Sequence, residues 1–439
     1  MFKTFRNAFK VKDIRTRLIY TFIALIVVRL GTLLPAPAID QNLTKDLFSN
    51  LGFFNSLTGG SFTRMSIFAL SITPYISSSI IVQLLTIAIP KLEELQKEGE
   101  DGKKKLTALT RYITVGLAVI ESGAMAIGFG NTGYLEGGLT FSNVILVIAS
   151  LTAGSAFLMW TGEKISQNGV GNGISIILLT NIVSTMPSDF INLYRTFIQG
   201  QSVVKAVLAA LIIIAVFVVT IVFVVVLSNA ERKIPVQYAK KVQGRKMVGG
   251  QTSNIPLKVN TAGVIPVIFA GSLMSFPGVI AGFWGVEPAR AYFWPKVLKV
   301  LDQRSWLKIF DGWGEFKYSL GLLIYIVMII FFAYFYTSIT FNPIEVANNM
   351  KKQGGFIPGI RPGKPTTEYL TKVLNHIIFI GAVGLTIVSI IPIFFGGAFG
   401  AHVSFGGTSI IIIVGVIIET IKQIESQLLV RHYKGFLND

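Results

Sequence analysis

The sequence predicts an all-α integral membrane protein that crosses a bilayer ten times, in two inverted five-helix halves. Three observations lead there. Of 439 residues, 52% are hydrophobic and only 14% charged, with a mean hydropathy of +0.64; a soluble domain carries about 25% charged residues. Apolar runs of bilayer-spanning length recur along the chain, since a core of about 30 Å needs roughly 20 helical residues. The 39 Lys and Arg fall mostly in alternate connectors between those runs, as the positive-inside rule requires.

The elements follow in order. Met1 to Arg17 is polar and basic, and Leu18 to Leu34 is apolar with Arg29 inside it. Pro35 and Pro37 follow without a small-x-small cleavage site, so the run reads as a retained first span. Arg29 is expected to snorkel to the outer interface. Further spans are expected at Ser66 to Ile89, Thr107 to Phe129 and Phe141 to Trp160. A fifth, Ile174 to Met186, is short and enters from a glycine-rich turn. The connector near Pro187 to Gln201 then divides the chain into halves, 1–195 and 196–439. Ala206 to Leu227 is uncharged throughout, and Ala262 to Phe283, Tyr318 to Phe341 and Val373 to Phe395 follow it. The last span begins near Thr408 and runs past Ile418 into Glu419 and Lys422.

The basic asymmetry puts both termini in the cytoplasm, and the net charge of +17 belongs to cytoplasmic loops rather than to a nucleic-acid scaffold. Two such loops are long, Ser228 to Val259 and Asn342 to Lys372, each basic and punctuated by Gly and Pro. Long loops tend to carry function. Trp284, Trp294, Trp306 and Trp313 mark Gly285 to Lys317 as a segment resting at the outer headgroups.

The chain has no cysteine, and His376, His402 and His432 are scattered. No metal-ligand cluster, cofactor motif or nucleophile-base set is expected. Gly169-Val170-Gly171-Asn172-Gly173 lacks the preceding strand and following Gly-Lys-Ser/Thr of a phosphate loop, and reads as a turn into the fifth span. Pro74 in one half, with Pro266 and Pro277 in the other, interrupts the second helix of each. Matched broken helices point to a pathway between halves. Glu121 lies within the third span, where a carboxylate is costly and marks a functional candidate. Otherwise the spans are nearly chargeless. A solute transporter would need an intramembrane ion site and an enzyme a catalytic group. A gated channel sealed by aliphatic side chains needs neither.

The chain resembles the SecY/Sec61-alpha family, whose bacterial SecY members form the centre of the protein-translocation channel. The resemblance is carried by Phe68-Ala69-Leu70-Ser71-Ile72-Thr73-Pro74-Tyr75-Ile76, by the glycine-rich turn with Ile174-Ser175-Ile176, and by Pro256-Leu257-Lys258-Val259-Asn260. Ala262-Gly263-Val264-Ile265-Pro266, Phe356-Ile357-Pro358-Gly359-Ile360-Arg361-Pro362-Gly363 and Phe405-Gly406-Gly407-Thr408-Ser409 complete it. It implies a central pore with a ring of Ile72, Ile76, Ile174, Leu178, Ile268 and Ile412. A plug is implied at about 51–65, including Leu57, Gly59, Gly60, Phe62 and Arg64. A lateral gate would carry Ser77, Glu121 and Asn260. Lys240, Lys241, Arg245, Lys246 and Arg361 would dock a SecA motor ATPase or the rRNA of a ribosome. SecE-like and SecG-like small subunits, signal peptides, unfolded precursors and the lipid of a bacterial cytoplasmic membrane are the other implied partners.

Overall fold

The computed structural model describes residues 8–40, 58–200, 202–238, 241–243, 246–248, 252–283, 297, 300–301, 307–308, 317–318, 320–399 and 407–435. Leu57, Lys240, Arg245 and the four tryptophans of the expected outer segment lie outside them.

Ten helices of sixteen residues or more stand among the described residues. They are α1 (Lys12–Gly31), α2 (Thr73–Ala88), α4 (Glu100–Thr132), α5 (Phe141–Asn168), α6 (Gly173–Phe197), α7 (Val203–Asn229), α8 (Ile265–Phe283), α9 (Leu320–Thr340), α11 (Lys364–Phe399) and α12 (Gly407–Gly435). Two shorter helices are α3 (Pro90–Lys97) and α10 (Pro343–Lys352). Six are long and apolar enough to cross a bilayer, and α2 with α3, bent by 104°, makes a seventh. Large aliphatics such as Val203, Leu211, Val219 and Val226 stand exposed along α7. That is costly in water and natural in lipid.

Several helices outrun the bilayer. The 33 residues of α4 and the 36 of α11, at 1.5 Å per residue, are far longer than a 30 Å core requires. Part of the excess in α4 is its charged start, Glu100, Asp101, Lys103, Lys104 and Lys105. The fifth span likewise exceeds expectation: α6 continues through Pro187 to Phe197. Membrane helices tolerate an internal proline because neighbouring groups satisfy the freed carbonyl. The expected dividing connector therefore shrinks to the few residues after Phe197. Pro74 and Pro266 are also corrected. Each stands in the first turn of its helix, α2 or α8, where the missing N–H costs nothing. Of the three, Pro277 alone lies inside a helix.

Contacts gather the chain into two compact units, one of residues 1–209, 276–298 and 400–439 and the other of 210–275 and 299–399. In the first, α2 packs on α4, α4 on α5, α5 on α6, and α6 on α12. Met65, Ala118, Met125, Phe129, Val147 and Leu151 are the heart of its apolar core.

In the second unit, α9 and α11 pair around Ala333, Leu374, Ile378 and Ala382. The long Ser228 to Val259 loop is built on strands. β1 (Glu231–Tyr238) and β4 (Thr252–Lys258) form an antiparallel ladder from Glu231↔Lys258 to Gln237↔Thr252. β2 (Lys241–Gln243) and β3 (Lys246–Val248) form a further short hairpin. Pro235 and Pro256 fit because β4 is an edge, and β7 (Gly355–Phe356) pairs with β1 only at Gln237 and Tyr238. The remaining two-stranded sheet is β5 (Leu307–Lys308) with β6 (Lys317–Tyr318).

Candidate functional site

The expected plug is described from Thr58 onward. It is folded inward rather than looped over a surface: Gly59, Phe62, Met65 and Ser66 are buried, while Arg64 is exposed and Gly60 half-buried. Ser66 N–H donates to the Ser61 carbonyl at 3.0 Å, and Ala36 N–H to the Met65 carbonyl at 2.8 Å. Gly31 of α1 lies so close under the Phe68 ring that a methyl group there would collide with it. Arg29 departs from the snorkelling expectation. Its Nη1 donates to the Gly59 carbonyl at 3.3 Å, so it faces the segment before α2.

The aliphatic candidates lie at helix entrances. Ile72 is the residue before α2, and its carbonyl accepts from Ile76 N–H at 3.0 Å, one turn on. Residues four apart share a helix face, as Ile174 and Leu178 do on α6. Ile72, Leu178 and Ile412 are buried, and Ile76 and Ile174 half-buried. Ile268, in the second unit, is buried in α8.

Asn172 sets the start of α6. Its Oδ1 accepts from Ile174 N–H at 3.1 Å and Ser175 N–H at 3.4 Å, an N-cap. The glycine-rich turn is thus a structural junction, not an anion cradle. Arg17 of α1 donates to the Gly169 carbonyl at 3.3 Å, and Thr21 Oγ1 accepts from Val170 N–H at 3.1 Å. Gly173 sits against the Gly162 carbonyl, with no room for a side chain, and its N–H donates to Ser166 Oγ at 2.8 Å. Gly171 has φ +78° and lies against the side chains of Ile176 and Thr420. Four helices, α1, α5, α6 and α12, therefore meet at five residues. Sequence reasoning identified the turn but not Arg17, Thr21 or Ser166, because nothing local marks them.

Of the gate candidates, Ser77 on α2 and Glu121 on α4 are half-buried, and neither hydrogen-bonds to the other among the described residues. The neighbouring serines do the joining: Ser78 Oγ donates to the Thr110 carbonyl at 2.6 Å, and Ser122 Oγ meets Thr152 Oγ1 at 3.2 Å. Asn260 follows β4 in the second unit, with its Oδ1 buried and without a hydrogen-bond partner among the described residues.

The two long loops make one structure. Ile234, Val236 and Leu257 of the hairpin pack with Ala347 and Met350 of α10, with Ile357, and with Leu370, Val373 and Ile377 of α11. Open sheet edges do not occur in hydrocarbon, so this α/β cap stands outside it. Arg361 is exposed on its tip. Ile357 and Ile360 anchor the tip in the apolar core. Thr366 Oγ1 donates to the Arg361 carbonyl at 2.8 Å, and Gly359 and Gly363 take φ of +81° and +104°, which favours glycine. Lys241 and Lys246 lie in β2 and β3 of the hairpin.

The SecY family model matches residues 66–421. Over the full length of both chains, this chain is 42% identical to the protein translocase subunit SecY of Halalkalibacterium halodurans and 42% identical to that of Bacillus subtilis. The SecY of Thermotoga maritima is 37% identical, over all of this chain and 98% of its own. Among solved structures, a protein-conducting channel matches with a TM-score of 0.63 at 18% identity, over 94% of this chain and 92% of that one. Sec61 from a canine ribosome-channel complex matches with a TM-score of 0.58 at 17% identity, over 94% and 92%.

Proposed function

The chain belongs to the SecY family of protein translocase subunits, and from that premise we propose how this multi-pass membrane protein works as a protein-translocating channel. It sits in a bacterial cytoplasmic membrane with both termini inside. The halves 1–195 and 196–439 open around a central pore. Ile72, Ile76, Ile174, Leu178, Ile268 and Ile412 form a constriction. Flexible aliphatics suit that task because they close around an extended chain of any sequence without specific hydrogen bonds, and they exclude water and ions when empty.

The segment of about 51–65 is the plug over that constriction. The inward seating of Phe62 and Met65 supports this reading. Ser77, Glu121 and Asn260 belong to a lateral gate through which signal peptides and membrane segments reach lipid. The buried Asn260 Oδ1, without a hydrogen-bond partner among the described residues, supports a polar role there, since buried polar atoms normally find a partner.

The α/β cap docks what drives transport, a SecA motor ATPase or a ribosome, through Arg361, Lys240, Lys241, Arg245 and Lys246. SecE-like and SecG-like subunits accompany the chain. It carries out no covalent chemistry itself and binds no cofactor.

The observation that carries the function is full-length identity of 42% to translocase subunits. Reconstitution into vesicles with its small subunits, a SecA motor, ATP and an unfolded precursor tests it. Protease-protected precursor should accumulate only with ATP and a functional signal sequence. Equal protection without this chain would overturn the reading.

A further inference from the structure

Two polar contacts hold the segment between α1 and α2, one near each end of residues 59–71. Arg29, in the last turn of α1, donates from Nη1 to the Gly59 carbonyl at 3.3 Å. Asn181, 2% exposed on α6, donates from Nδ2 to Ser71 Oγ at 3.3 Å. Gly59 lies against both of these residues: a methyl group there would be 2.8 Å from Arg29 Nη1 and 3.0 Å from Asn181 Cα. With φ +65° it is also a position that side chains avoid. The two grips thus touch the start and end of one stretch, residues 59 to 71.

The stretch holds two non-glycine residues in the left-handed region, Met65 at φ +46° and the gripped Ser71 at φ +51°. Such backbone persists only where its surroundings over-determine it. Phe62, Met65, Ala69 and Leu70 supply the apolar part of that surrounding, packed with Met125 and Phe129 of α4 and Leu151 of α5. The hydrogen bonds supply the rest, and Arg29 draws its place in an apolar helix from this contact. An arginine there is expected to find a partner or to reach the interface.

We propose that Arg29 and Asn181 form a two-point latch that sets how readily residues 59–71 leave their seat. Apolar packing gives the seat its depth, while the two directional bonds give it a threshold. Any movement that draws α1 or α6 away from the segment breaks a grip and lets the strained backbone at Ser71 relax. Arg29 and Asn181 are positioning residues: they act on permeation through the segment, not on the translocating chain. The proposal rests on the plug reading above.

Ser61 provides the probe. It is 1% exposed, its Oγ is buried without a hydrogen-bond partner among the described residues, and Ser61→Cys is nearly isosteric. The absence of native cysteine removes background. In the complete channel complex in membranes, thiol labelling of Ser61→Cys should be slow. Combined with Arg29→Ala or Asn181→Leu it should rise about five- to tenfold, the loss of one modest hydrogen bond. Arg29→Lys, which keeps a donor, should return it most of the way. Ser71→Ala removes only the acceptor at the other end, and should also speed labelling should Asn181→Leu accumulate poorly. A separate variant lacking residues 58–65 measures ion leakage and tests the plug itself. Leakage with parent-like labelling in the Arg29, Asn181 and Ser71 variants would overturn the latch and leave the plug standing. No leakage from the deletion would overturn the plug reading, and the latch with it.

Discussion

Arg111 of α4 grips Glu163 of α5 with one edge of its guanidinium, Nε to Oε1 at 2.8 Å and Nη2 to Oε2 at 2.7 Å. The glutamate side chain is 14% exposed and the arginine 46%. A bidentate pair of this kind is geometrically specific, and lysine cannot copy it. Solvent on the arginine side limits its worth to about 1 kcal/mol. Glu163→Gln should therefore lower the half-inactivation temperature of the detergent-solubilised complex slightly, by about 2 °C. Arg111→Lys should do nearly as much. Heating curves matching the parent in both variants would show that the pair contributes no stability.

The glycines separate into positions limited by space and positions limited only by backbone. Gly173→Ala drives a methyl group into the Gly162 carbonyl, which is backbone and cannot swing aside. Gly200, at φ +79°, has open space around it. Gly173→Ala should cost about 2 kcal/mol or more and reduce accumulation in membranes. Gly200→Ala should cost about 1 kcal/mol, from its left-handed backbone alone. Quantifying the folded complex by detergent gel filtration distinguishes them. Equal yields would mean that the α1–α5–α6–α12 junction is looser than its contacts.

Topology is accessible because the chain has no cysteine. Single cysteines at Lys103, Arg245 and Arg361 should be shielded from an impermeant thiol reagent in intact cells, and one at Trp306 should react. Outside labelling at position 245 or 361 would invert the orientation.

The constriction is tested by polarity. Ile76→Ser or Ile268→Asn should raise the ion conductance of the idle channel in planar bilayers and relax the requirement for a strong signal sequence. Parent-like conductance together with unchanged signal stringency would remove both residues from the ring.

Arg361 has no core to serve, yet its backbone is fixed from both sides by Ile357, Ile360 and Thr366. Arg361→Glu should insert and assemble normally but fail in motor-driven transport. Arg361→Lys should be impaired by a smaller factor, because lysine loses the bidentate contact. ATP-dependent precursor protection equal to the parent in Arg361→Glu would reduce the residue to a topology charge.

The spans were legible in the sequence because lipid permits few alternatives: each apolar run must be helical, and every expected run overlaps an observed helix, although residues 66–72 before α2, 262–264 before α8 and 32–34 after α1 are not helical. Their ends were less legible, since a helix such as α4 or α11 continues into water where hydropathy no longer reports it. Pro187 was misread as a boundary because the rule that proline ends helices is a rule for water. The hairpin was hidden by Pro235 and Pro256, which signal a loop until one knows that they stand where the ladder has a free side. Arg29 was conspicuous as a charge, but its partner Gly59 is thirty positions away and contributes only a carbonyl, which no sequence pattern displays. Similarly, the 228–259 and 342–372 loops were each expected to dock partners, and nothing in either pointed to the other.

That shared apolar core has a consequence for exchange between relatives. Ile234, Val236 and Leu257 come from one connector, and Ala347, Met350, Ile357 and Leu370 from the other or from the helix after it. A chimaera that imports one connector alone sets foreign side chains against a resident surface shaped for different ones. Grafting both together moves the interface intact. Drift at one connector should therefore be tolerated mainly when the other changes with it, so the pair acts as a single module even though two membrane helices, α8 and α9, separate its parts along the chain.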